Sequence, residues 1–160
     1  MDVTPSRVRR EREWVLGRAV RIAALVNDVR DELGGRFGVE VGTVEPDALR
    51  REVEAVFADG DVAVNAATLI GLLRELDVAD DYPGFVVDEL LGRELAATIA
   101  GGQPLRLLAE ATFHYADAHE HGAPGDPAGA DDLDAALAAG FQTRMPGWPW
   151  READNPFEEE

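Results

Sequence analysis

Glu110, His114, Asp117 and His121 stand four, three and four residues apart. At 100° per residue this spacing gathers them within roughly 60° of one another on one helical face. Imidazole and carboxylate are ligands for zinc, iron or manganese, and helical bundles build metal sites from such side chains. One straight helix presents its ligands from one side only. A closed coordination sphere would need a carboxylate from a facing helix, with Asp88 and Glu94 as candidates. The Glu-x-x-His motif of di-metal bundles is missing, and His119 falls on the opposite face. A solvated polar face near a helix end explains the same residues, so no metal or cofactor is expected, and metal binding ranks as the second alternative.

A different chemistry is suggested by Arg7, Arg10, Arg18 and Arg21, which share a helical stripe with Trp14. Residues 1–30 carry seven arginines and four acids, whereas residues 31–160 carry eight arginines and 28 acids. Such a stripe suits a nucleic-acid backbone or an acidic partner. The turn Asp59-Gly60-Asp61 between two short helices adds the outline of a helix-turn-helix. The second of those helices, residues 62–76, has a single arginine, Arg74, and only Asn65 as a base-reading side chain. Pairing of the stripe with acids elsewhere in the fold is the competing reading. A DNA-associated regulator is therefore the first alternative.

Trp148, Trp150 and Phe157 lie in a Pro-rich, acidic C-terminal segment. Large aromatic rings are costly to leave in water and are favoured interface anchors, so the segment is expected to dock, either over its own bundle or on another molecule. Catalytic constellations are otherwise absent. Ser6 is the only serine, there is no cysteine, and no Gly-rich phosphate loop or nucleophile elbow occurs. No enzymatic activity is expected.

The acids themselves carry little site information. The chain has no lysine, 15 arginines and 32 acids, for a net charge of -17. A GC-rich genome exchanges Lys for Arg without changing charge, so the excess of acid needs a second cause. Self-repulsion on this scale opposes compactness at moderate salt. At molar salt the Debye length shrinks to about 3 Å and the repulsion is screened. The composition thus reads as adaptation to the cytoplasm of a salt-accumulating microbe such as a haloarchaeon. An acidic protein of a GC-rich actinobacterium is the alternative. No apolar stretch is long enough for a membrane span, and Arg18 and Arg21 interrupt any leader-like core. A cytoplasmic chain that does not engage a membrane is expected.

The elements that must position these residues read as an all-α bundle of five or six helices. One domain is expected over residues 1–140, with an extended tail over residues 141–160. Ser6 can cap a long first helix over residues 6–33, stopped by Gly34-Gly35. Val8, Val15, Ile22 and Val29 recur every seven residues, and Ala19, Val26 and Leu33 fill the alternate seam positions. At 1.5 Å per residue such a helix would be about 42 Å long and would need a partner helix along its length. An extended link follows, then helices near residues 46–57, 62–76, 85–100, 104–121 and 131–139, separated by Gly- and Pro-containing breaks. The leading expectation is a non-catalytic interaction or assembly subunit. It would bind a second copy or another protein through Val15, Ile22, Val26 and Val29, with Trp148, Trp150 and Phe157 as anchors.

Overall fold

The computed structural model describes residues 1–75, 84–102, 105–119 and 130–145. Among them the protein is all-α, with seven helices and no strand: α1 (Pro5–Gly17), α2 (Ala19–Phe37), α3 (Pro46–Ala58), α4 (Gly60–Glu75), α5 (Gly84–Ala100), α6 (Leu105–His119) and α7 (Ala130–Gln142). No single helix among these residues is long and apolar enough to cross a membrane. Trp148, Trp150, Phe157 and His121 lie outside the described residues, as does the side chain of Asp117.

The expected single N-terminal helix is two helices. Gly17 has low helix propensity, and Arg18 leaves the helical region at φ -102° and ψ 8°. The Arg18 N–H turns back to the Val15 carbonyl at 2.9 Å, and the Arg18 carbonyl accepts from Ile22 N–H at 2.9 Å to begin α2. The seven-residue apolar spacing runs through this break, which is why periodicity alone did not reveal it. Thr4, not Ser6, caps α1. Its hydroxyl accepts from Arg7 N–H at 3.1 Å, and Pro5 opens the first turn, where a missing N–H costs nothing.

Val15, Ile22, Val26 and Val29 are all buried in the core of the single chain. A second copy is not needed to cover them, because α1 and α2 are short enough to pack against α3, α4, α6 and α7 instead. Gly38 ends α2 in the left-handed region at φ 66°, and Val39 N–H returns to the Gly34 carbonyl at 2.9 Å. The link over residues 38–45 is then pinned to α2 by side chains. Asn27 Nδ2 donates to the Val44 carbonyl at 3.0 Å, and Val44 N–H donates to Asn27 Oδ1 at 2.8 Å. This opposed pair fixes which way the amide points. Pro46 opens α3, and the chain bends by 109° into α4, with Asp59 Oδ1 accepting from Val62 N–H.

The core is organised around α7. Every residue from position 133 to 143 is buried, on all sides of the helix. A helix apolar all round belongs inside a bundle, and α7 packs against α2, α3, α4, α5 and α6. Its run of Ala135, Ala136, Ala138 and Ala139 keeps it thin enough to be surrounded. Packing continues to Met145, also buried, so the bundle extends past the expected boundary at residue 140.

Gly140 is where α7 crosses α5 most closely. A Cβ there would sit 2.8 Å from Ile99 Cβ and 3.0 Å from the Ala96 carbonyl oxygen, whereas one at Gly35 would meet nothing within 4 Å. The same substitution should therefore have opposite signs at the two positions. Gly140→Ala is expected to lose about 1–3 kcal/mol to overpacking. Gly35→Ala should gain about 0.5–1 kcal/mol from helix propensity. Denaturant midpoints of both variants at constant salt check this.

Candidate functional site

In the arginine stripe, Arg7, Arg18 and Arg21 are turned onto carboxylates of the same chain. Arg7, Glu11, Trp14 and Arg18 follow one another at spacings of four, three and four, along the side of α1 that meets α4. Glu11 is fully buried. Its carboxylate accepts from Arg7 Nη1 at 3.2 Å and from Arg74 Nη1 of α4 at 2.7 Å. Arg7 Nη2 also reaches Glu75 Oε1 at 2.6 Å. The guanidiniums of Arg18 and Arg74 each lie 4.8 Å from the centroid of the Trp14 ring, a cation–π arrangement.

At the α1–α2 break the stripe reaches α7. Arg18 forks onto Asp134, with Nε to Oδ1 at 2.8 Å and Nη2 to Oδ2 at 2.5 Å. Arg21 Nε adds a third contact, at 3.2 Å from Oδ2. Asp134 is 1% exposed. Of the residues expected to contact nucleic acid, Arg7, Trp14, Arg18 and Arg21 are thus engaged within the chain, and Arg10 is exposed. Glu11 and Asp134, which organise the network, were missed. Glu11 was visible as an acid four residues after Arg7 on the same stripe, whereas nothing local distinguishes Asp134 from its neighbours Asp131 and Asp132.

The 109° bend between α3 and α4 has the outline of a helix-turn-helix. The one arginine of α4, Arg74, is committed to Glu11 and Trp14, which leaves that helix without a free cation for DNA. On α6, His114 is exposed, with Nδ1 3.7 Å from Glu89 Oε1 of α5. Glu89 is thus a carboxylate facing His114, and the side chain of Asp88 lies outside the described residues. Glu94 instead bonds Arg106, at 2.9 Å. Glu110 and His114 stand four residues apart on α6. No group of three or more potential metal ligands occurs among the described residues.

A second feature lies at the C-terminal half of α2. A cleft of about 650 Å³ opens between the C-terminal half of α2 and the link over residues 38–45. Gly34, Gly35 and Gly42 contribute to its walls, with Val39, Val41, Asp31 and Glu40 around them and Arg30 behind. Arg30 is buried. Its Nη1 donates to the Gly42 carbonyl at 2.5 Å, its Nε to Gln142 Oε1 at 3.3 Å and its Nη2 to the Met145 carbonyl at 3.5 Å. One cation therefore joins the cleft wall to the end of α7. Beside the cleft, Phe37 and Val39 are 70% and 40% exposed. No pattern in the sequence announced the cleft, because it is made of a glycine-lined turn whose shape depends on Asn27 and Arg30 clamping it.

Among the described residues these features define an all-α bundle knit by arginine–carboxylate pairs, with an open cleft at the α2 turn. The whole chain, residues 1–160, matches the family described as Domain of unknown function (DUF7984), and it belongs to that family. No curated protein and no solved structure matches it.

Two consequences of the network can be measured. Removing both Arg18 and Arg21 strands a buried carboxylate, so Arg18→Ala/Arg21→Ala should lose about 3–5 kcal/mol of stability. Adding Asp134→Ala to that pair should recover most of the loss; an unchanged loss in the triple variant would mean that the pairing is not its source. Separately, the hydrogen bond from Arg7 holds the Glu75 carboxyl below its ordinary value and raises the Arg7 guanidinium. A depressed carboxyl contributes stability above the usual carboxylate range and loses it as pH falls through the lowered value. Glu75→Gln should therefore melt below the wild type at neutral pH, with the difference closing on acidification.

Proposed function

We propose that this chain is a non-catalytic helical interaction subunit of a salt-adapted cytoplasm, joining a second copy of itself through apolar side chains. The observation that carries this reading is the exposure of Phe37 and Val39 beside the α2 cleft, Phe37 being the most exposed large apolar side chain among the described residues. Contiguous exposed apolar surface marks interaction sites. Contacts of this kind persist in salt that screens charge. Val15, Ile22, Val26 and Val29 support the assembly as its interior, since an intersubunit seam made of them would require the bundle to open. Trp148, Trp150 and Phe157 remain the aromatic anchors of the reading. The DNA alternative has the α3–α4 bend in its favour. Against it stands the pairing of Arg7, Arg18, Arg21 and Arg74 with carboxylates of the same chain.

Size-exclusion chromatography with light scattering in multimolar salt tests the reading. The expected mass exceeds that of one chain and falls to one chain in Phe37→Asp/Val39→Asp, with the helical circular dichroism unchanged. A single-chain mass at every concentration, with no effect of the double substitution on retention, would remove it.

A further inference from the structure

We infer that the α2 cleft is the receptor for Phe37 of a second copy, so that two chains related by a two-fold axis each insert this ring between the other's α2 and link. The inference rests on the self-association reading above and adds to it what each copy binds. Four observations carry it. The first is a projecting ring beside an open receptor. Phe37 stands outside the cleft lining at 70% exposure, two residues before Val39, which is part of that lining. A patch with both a projection and a receptor is self-complementary. A two-fold axis satisfies both at once and closes the assembly at two copies.

The second observation is room. An apolar cavity of about 150 Å³ accepts a benzene ring, and the cleft measures about 650 Å³. Gly35 and Gly42 leave its walls without side chains, and Val41 gives it apolar surface, with Cγ2 3.4 Å from the place a Gly34 Cβ would take. The third is a receptor formed in advance. A Cβ at Gly34 would sit 2.7 Å from the Val39 carbonyl oxygen, so glycine is what lets the link approach α2. Asn27 and Arg30 then hold the link through Val44 and Gly42. A receptor already ordered loses little freedom on binding. The fourth is charge. Arg36 directly precedes Phe37, and Asp31 and Glu40 line the cleft. Arg36 is exposed and bonds Glu32 of its own helix through Nη2 at 3.2 Å. Its remaining guanidinium N–H groups are donors for a carboxylate of the other copy.

Filtered NOE spectra of the full chain test the insertion. Chains carrying ¹³C only in their valine methyls are mixed with unlabelled chains in multimolar salt, so the selected cross-peaks arise between copies. Aromatic protons of the unlabelled copy are expected to reach the methyls of Val39 and Val41. Those cross-peaks should move to tyrosine ring frequencies when the unlabelled chain carries Phe37→Tyr. Gly35→Leu fills the cleft from a position with nothing within 4 Å of its Cβ. It should lower the two-chain mass to one chain with the helical circular dichroism unchanged. The cross-peaks need no cleft substitution, so they decide the matter should Gly35→Leu disturb the helix. A two-chain mass without these cross-peaks, or with cross-peaks that stay at phenylalanine frequencies, would overturn the insertion and leave self-association standing. A folded Gly35→Leu variant that keeps the two-chain mass would do the same, and a mass above two chains would overturn the closed pair. A single-chain mass for the unaltered protein would overturn the insertion and the self-association reading together.

Discussion

The bundle depends on the neutralisation of one buried carboxylate. Asp134 sits on the helix that every other part of the core surrounds, at 1% exposure, and an ionised acid in that position is tolerated only when it is paired and fully hydrogen-bonded. Arg18 and Arg21 supply the pairing from 116 and 113 residues away in sequence. Arg18 can do so because α1 stops at Gly17 and the chain turns through Arg18 before α2 begins. The break in the N-terminal helix and the acid on the C-terminal helix are thus two sides of one requirement. Neither makes sense without the other, and together they tie the first forty residues to the last described element.

That tie sets the geometry of the rest. With Arg18 anchored on α7, the side of α1 bearing Arg7, Glu11 and Trp14 is turned onto α4, where Arg74 completes a second buried neutralisation at Glu11. On the far side of α2, Arg30 performs a related task with backbone carbonyls at Gly42 and Met145. At Arg18 arginine suits the place better than lysine would, because its planar fork bonds Asp134 with two donors and lies over the Trp14 indole at the same time. Between these polar joints the core sets large side chains such as Phe113, Phe141, Leu95 and Leu137 beside the alanines of α7, and the backbones approach closely at Gly140 against Ala96 and Ile99.

Much of this was legible in the sequence, and what was hidden follows a pattern. Helical periodicity, Pro46 at a helix start and the turn at Asp59-Gly60 placed α3, α4 and the all-α class, because these signals are local. The N-terminal break was hidden because the apolar spacing of Val15, Ile22 and Val29 continues in phase across Arg18. The same spacing that suggested a seam between two chains also serves a core within one, and composition cannot separate those cases. The centrality of α7 was hidden by its alanines, which read as a weakly amphipathic helix unless it is known that five other helices approach it. Glu11 and Asp134 were lost among 32 acids. In a chain this rich in acids, the few carboxylates that are structural have no distinguishing signature except their distant partners.

The charge excess therefore divides into two populations with different responses to salt. Exposed acids repel one another over distances that multimolar salt screens, so their contribution shrinks as salt rises. Asp134 and Glu11 are themselves buried and paired at contact distance with partly exposed guanidiniums, so those interactions are screened less than the ones between exposed acids. A bundle built in this way gains compactness from added salt without losing the polar joints that specify it. It follows that ionic strength is a poor lever for opening this molecule. Under those conditions long-range charge contributes little to association, and short-range contact and shape decide it.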